Sequence, residues 1–342
     1  MLIDYVSLVG GLVVLIVAGD VLVRGSVGIA EKLGIPSLVI GLTIVAFGTS
    51  APELVISIGA ALDNAPGIAV GNVVGSNIAN VLMVLGLPAL VAATSCEEDG
   101  ALRNAIFMMA VSIVFVAMCF FSPINWMSGV ILLLLLALFI GDSVMATRKH
   151  RRENGIGRAA RDLSASASLS AEKKEEEACA VVEEVEGVPE NAALAFVFVA
   201  LGLVGLPLGA HFTIEGATAL ARAWGVTEAV IGLTIVALGT SLPELATSLM
   251  AAIRNHSAVA LGNVIGSNIF NLLAIMGITS VIVPLAIPPE ILKLDLWVML
   301  ACALLVIAFS AFKVTLRHMA GIALVGLYGL YIAIVFMMGQ IG

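Results

Sequence analysis

The chain has 342 residues, 61% of them hydrophobic and only 12% charged, with a mean hydropathy of +1.13. Soluble domains carry roughly 25% charged residues, and a core of this size could not hide so much apolar surface. A soluble enzyme or nucleic-acid-binding protein is therefore excluded, and the formal charge of −8 says little about partners because so many charges sit in one segment.

A helix that crosses a bilayer needs about 20 apolar residues. In chain order, ten such stretches are centred near Leu15, Thr49, Leu82, Ser112, Leu135, Val199, Thr240, Leu272, Leu304 and Gly329. The first, opening MLIDYVSLVGG, lacks a basic run ahead of it and reads as a retained helix, not a cleaved signal. Between the fifth and sixth lies the long polar segment, 147–191, with 8 of the 16 Lys/Arg and 10 of the 24 Asp/Glu. Its basic start (RKHRR, 148–152) and acidic blocks read as a flexible, solvated linker, without the spacing of a calcium-binding loop. Cys96, Cys119, Cys179 and Cys302 show no metal or CxxC spacing and read as inert, reduced thiols.

Lys and Arg collect in cytoplasmic loops. With the 147–191 segment placed in the cytoplasm and the spans counted outward, 14 basic residues fall inside and two, Arg222 and Lys293, outside. Both termini then lie outside a plasma (inner) membrane.

Sliding the chain on itself by 191 residues produces an ungapped match. IGLTIVAFGTSAPEL (40–54) lies over IGLTIVALGTSLPEL (231–245), and GNVVGSNIAN (71–80) over GNVIGSNIFN (262–271); 28 of the 47 positions from 40 to 86 are identical. Gly, Thr, Ser, Pro, Glu and Asn match as well as Leu and Val, so this is duplication and not shared hydrophobicity. The expected fold is an all-α integral membrane protein. A first five-helix repeat (1–146), the linker (147–191) and a second five-helix repeat (192–342) make up the chain. Five is odd, so the second repeat enters from the opposite side, the inverted arrangement of secondary transporters whose ion sites lie at the midplane between repeats.

The matched polar residues define the candidate site. Glu53 and Glu244 are carboxylates in mid-membrane, where charge is costly and marks function. Facing each other across the pseudo-two-fold axis, they would repel or bind protons unless a cation lay between them. Pro52 and Pro243 cannot bond the carbonyls of Gly48 and Gly239, so each helix can loosen there and free backbone oxygens. Thr49, Ser50, Thr240 and Ser241 add hydroxyls; Ser76 and Asn80 share a helix face, as do Ser267 and Asn271, and can complete the shell. Asn72 and Asn77 are weaker candidates, fitting a tie between helices or a partner for broken backbone. The inventory is all oxygen, which suits Ca²⁺ or Na⁺ and disfavours soft transition metals. Gly71 with Gly75, and Gly262 with Gly266, read as close-packing faces. Asp20, Asp142, Glu215 and Asp295 read as charges at span ends. No HExxH or GxSxG motif is present, and neither a cofactor nor enzymatic activity is expected.

On these residues, the paired GTSxPE segments each followed by GNVxGSNIxN, the chain resembles the cation/Ca²⁺ exchanger superfamily, in particular its prokaryotic sodium/calcium exchanger branch. The resemblance covers essentially all ten spans. It implies that Glu53 and Glu244 are the central Ca²⁺ ligands, shared with Na⁺, and that Thr49 and Thr240 add oxygens. It also implies that the carbonyls of Ala46 and Ala237 serve outlying Na⁺ sites with Ser50, Ser76, Ser241 and Ser267, and that Asn80 and Asn271 line the middle. Potassium-dependent members resemble this pattern but carry Asp in place of Asn271, and proton-coupled members lack GTSxPE. Na⁺/Ca²⁺ antiport by alternating access, normally exporting Ca²⁺, is the expected activity. H⁺-coupled or K⁺-dependent exchange and a Ca²⁺-permeable channel are the alternatives. The expected partners are the two ions and the lipid bilayer; the oligomeric state, a monomer included, is not legible.

Overall fold

The computed structural model describes residues 2–121, 123–167, 188–189, 191–225 and 237–341. Its helices are α1 (Leu2–Leu33), α2 (Ser37–Thr49), α3 (Ala51–Leu62), α4 (Pro66–Val91), α5 (Ala101–Phe120) and α6 (Trp126–Ala167). There follow α7 (Ala192–Ala223), α8 (Ala237–Thr240), α9 (Leu242–Ile253), α10 (Ser257–Ile282), α11 (Ile291–Ala311) and α12 (His318–Ile341). Among the described residues, eight helices are long and apolar enough to cross a membrane, and nine if α2 and α3, bent by 43°, count as one span. The tenth expected span, around Thr240, is represented by α8 and α9. The IGLTIV stretch before it, 231–236, lies outside the described residues, as does linker segment 168–187.

The burial pattern is inverted relative to a soluble protein. Leu2, Leu138, Leu304 and Leu330 are among many large apolar side chains left on the outside, as a lipid-facing surface requires. The centre is formed by α4 and α10, with 83% of the most apolar stretch of each buried, against no more than 44% in the other six long helices. These two helices carry the GSN motifs, so the repeated polar residues are also the most deeply enclosed.

Local chemistry explains the boundaries. Asn191 caps α7 by accepting the Ala193 N–H at 3.0 Å, the usual service of an N-cap amide. The ends of α3 and α9 are copies of each other. Asn64 and Asn255 take positive φ (57° and 59°), and the N–H groups of Ala65 and His256 each reach back five residues, to Ala60 and Ala251, at 2.8 Å. That is the Schellman closure, repeated 191 residues apart. One boundary differs from expectation. Helix α6 runs to Ala167, beyond its apolar span, which ends at Arg148, so 147–167, expected as flexible linker, continues the helix. Ala, Arg, Lys and Glu are good helix formers, and extending an existing helix avoids the cost of a new nucleus.

Close packing holds the halves together. A Cβ at Gly266 of α10 would sit 2.6 Å from both the Leu42 carbonyl oxygen and the Ala46 Cβ of α2, so backbone meets backbone as the small-residue reading expects. Gly266→Ala should therefore overpack this contact at a cost of about 1–3 kcal/mol, read as a lower Tm of the purified protein. An unchanged Tm would show that the contact is loose.

Asp20 corrects an expectation. It lies well inside α1, not at its end. It binds the Arg24 guanidinium at 2.8 Å and also pairs with Arg254 at the end of α9. All three side chains are less than one-third exposed, so the carboxylate is served by two cations rather than by interfacial water. Asp20→Ala would leave both arginines without their shared counter-charge, a loss of about 1–3 kcal/mol once partial exposure is allowed for; thermal unfolding measures it. Asp295 is likewise satisfied internally, accepting the Tyr331 hydroxyl at 3.0 Å. Asp142 and Glu215 are more than half exposed, beside Arg103 and His211.

Candidate functional site

Two helix breaks face each other. Helix α2 ends at Thr49 and α3 starts at Ala51, with Ser50 between them at φ −83°, ψ 5°; Ser241 separates α8 from α9 at φ −86°, ψ 5°. Each break lies where a proline two residues on has no N–H to offer. Each break places a glutamate in the first turn of the following helix, and Glu53 and Glu244 are both fully buried.

The surrounding oxygens come from the opposite repeat. The Ser50 hydroxyl donates to Glu244 Oε1 at 3.1 Å. Thr49 Oγ1 donates to Asn263 Oδ1 at 3.2 Å and lies 3.4 Å from Ser267 Oγ. The Ala46 carbonyl accepts the Ser50 N–H at 3.1 Å and lies 3.3 Å from Thr49 Oγ1, an alternative acceptor to Asn263 for its single hydrogen. Ser76, Thr240, Asn80 and Asn271 are all buried. Ala237 begins α8.

Helix geometry is irregular on the second shared face too. Asn80 and Asn271 each open a π turn, Asn80–Val84 and Asn271–Ile275. Such turns widen the helix and recur at functional positions. Neither was legible in sequence, because no residue type specifies a π turn. Two serines were also missed. Asn72 Nδ2 donates to Ser57 Oγ at 3.0 Å and to the Glu53 carbonyl at 3.3 Å, and Asn263 repeats both bonds, with Ser248 and the Glu244 carbonyl, at the same distances. Ser57 and Ser248 were findable: they match in the repeat and lie four residues after the glutamates, on the same helix face. Asn72 and Asn263 thus fasten each GNV helix to the helix that carries its glutamate.

What remains unsatisfied is informative. Glu53 Oε1 and Oε2, Glu244 Oε2, Asn80 Oδ1, Asn271 Oδ1 and Ser241 Oγ are buried without a hydrogen-bond partner. Five of these six atoms can only accept. A buried carboxylate with nothing to compensate it is strongly unfavourable, so this donor-poor set of hard oxygens could hold a cation such as Ca²⁺ or Na⁺. The arrangement is not symmetric: Ser50 bonds Glu244, whereas its counterpart Ser241 has no partner.

Comparison with known proteins identifies the family. The family described as sodium/calcium exchanger protein matches residues 3–144 and 194–337. The chain is 32% identical to the sodium/calcium exchanger MaX1 of Methanosarcina acetivorans over 98% of its own length and 99% of that protein. It is 32% identical to the inner membrane protein YrbG of Escherichia coli, over 89% and 88% of the two chains. A solved structure of the sodium-calcium exchanger NCX_Mj soaked with Na⁺ and Sr²⁺ superposes with a TM-score of 0.78, at 30% identity, covering 97% of this chain and 98% of that one. The fold is that of a multi-pass membrane cation/Ca²⁺ exchanger. The chain belongs to the sodium/calcium exchanger family, in its prokaryotic branch, a family of transporters and not of enzymes.

Proposed function

We propose that this protein exchanges Na⁺ for Ca²⁺ through one alternating-access site at the membrane midplane, normally exporting Ca²⁺. Glu53 and Glu244 are the central ligands. Thr49, Thr240, Asn80 and Asn271 complete the middle of the site, and Ser50, Ser241, Ser76, Ser267 and the carbonyls of Ala46 and Ala237 serve Na⁺ at its flanks. One Ca²⁺ offsets both carboxylates; alternatively several Na⁺ occupy the same oxygens. Because the two occupancies exclude each other, the flows are coupled. The observation that carries this reading is the pair of buried glutamates with three of their four carboxylate oxygens unpartnered.

The same reading takes the chain as ten spans in two inverted repeats, 1–146 and 192–342, with the 147–191 segment cytoplasmic and both termini outside. Cys96, Cys119 and Cys302 are buried, so Cys179 in that segment can report its side. A membrane-impermeant maleimide should label Cys179 from the cytoplasmic face alone; labelling from outside would reverse the topology.

Coupling is tested by Ca²⁺ flux into proteoliposomes with Na⁺, K⁺ and H⁺ gradients imposed one at a time. An outward Na⁺ gradient should drive Ca²⁺ uptake and the other two should not. Uptake driven by a pH gradient would make this a proton-coupled exchanger, a K⁺ requirement would make it K⁺-dependent, and uptake without any counter-ion would make it a channel.

A further inference from the structure

Four amides at the centre of the molecule are connected in a fixed sense. Asn77 Nδ2 donates to the Asn268 backbone carbonyl at 3.3 Å, and Asn268 Nδ2 donates to the Asn77 backbone carbonyl at 3.2 Å. A backbone carbonyl can only accept, so each of these side chains must turn its NH₂ toward it and its oxygen away. The oxygens are then taken by the next layer. Asn80 Nδ2 donates to Asn268 Oδ1, and Asn271 Nδ2 to Asn77 Oδ1, both at 3.0 Å. This fixes Asn80 and Asn271 in turn: their NH₂ groups face the anchoring amide oxygens, and their Oδ1 atoms are buried without a partner. Reversing either amide would set oxygen against oxygen at the anchor and bring N–H hydrogens to the cation.

We infer that Asn77 and Asn268 are positioning residues that hold the side chains of Asn80 and Asn271 with their oxygens toward the transported cation, each anchor acting on the ligand of its own pair. The inference rests on the exchange site proposed above. It adds that carbonyl presentation at this site is set by two residues outside the ligand set, anchored on backbone. The pairing crosses the repeats: Asn268 acts on Asn80, and Asn77 acts on Asn271. Truncating Asn268 leaves its backbone carbonyl in place, so the Asn77 side chain keeps its anchor and Asn271 is undisturbed.

The test is a set of double-mutant cycles read by equilibrium ⁴⁵Ca²⁺ binding to the purified full-length protein and by KM and maximal rate in proteoliposomes. Asn268→Ala should weaken Ca²⁺ binding about tenfold, the effect of one lost orienting bond at a charged ligand, and raise KM while sparing the maximal rate. In an Asn80→Ala background Asn268→Ala should have no further effect, whereas in an Asn271→Ala background it should keep its full tenfold. Asn77→Ala should show the reverse dependence. Asn77→Leu and Asn268→Leu, which keep side-chain volume without the amide, repeat the cycles should an alanine variant not fold. Equal effects in both backgrounds, or none at all, would overturn the positioning role while leaving the exchange site standing. Absence of Ca²⁺ binding by the unaltered protein would overturn both.

Discussion

Glu53→Gln and Glu244→Gln should each reduce Na⁺-driven Ca²⁺ uptake by at least about a hundredfold. The substitution keeps side-chain shape and one carbonyl oxygen but removes the charge that offsets a divalent ion, and a buried divalent cation is not held without compensating negative charge. The Ser50 hydroxyl can still donate to the amide oxygen at position 244, so the variant retains the bond across the break and should fold. Without ions, both variants should be as thermally stable as the parent or more so, because each removes a buried, uncompensated carboxylate. The pair should also be strongly non-additive, since one lost charge already prevents the site from neutralising Ca²⁺. Uptake measured beside Tm separates loss of the site from loss of the fold; a variant that exchanges at the parent's rate would remove that glutamate from the ligand set.

Acidification should be the second large effect. Protons and cations compete for the same carboxylate oxygens of Glu53 and Glu244, both fully buried. A proton on either removes a charge that Ca²⁺ needs. Transport should fall several-fold as pH is lowered below neutrality, and raising Ca²⁺ should move the half-inhibition point to lower pH. Both effects appear in initial uptake rates over a grid of pH and Ca²⁺ concentration. Uptake that ignores pH, or inhibition that Ca²⁺ does not relieve, would show that protons act elsewhere.

How much was legible depended on what carried the information. The two glutamates, the hydroxyls beside them and the helix breaks were readable because the repeat displays each twice and because proline has a fixed backbone consequence. The breaks fall at Ser50 and Ser241, two residues before Pro52 and Pro243. Asn80 and Asn271 could be named as candidates for the ligand shell from their helix face, but not how they present oxygen. That orientation depends on a chain of amides between repeats, with bonds spanning 188 to 194 residues, and no local pattern encodes such contacts. Asp20 was misread because its partner Arg254 lies 234 residues away; sequence placed it by span length alone. The helical start of the linker was not legible for a different reason: a charged, Ala-rich stretch is consistent with both a solvated coil and a helix, and only its continuity with α6 decides between them.

The most direct test of the central claim is equilibrium Ca²⁺ binding to the purified protein titrated with Na⁺, alongside Glu53→Gln. One shared site predicts that Na⁺ lowers the apparent Ca²⁺ affinity progressively, without a plateau and without reducing the number of Ca²⁺ bound at saturation, and that the variant binds neither ion there. Ca²⁺ binding that levels off at a finite affinity in excess Na⁺ would mean that both ions are held at once, which contradicts exchange through mutually exclusive occupancy.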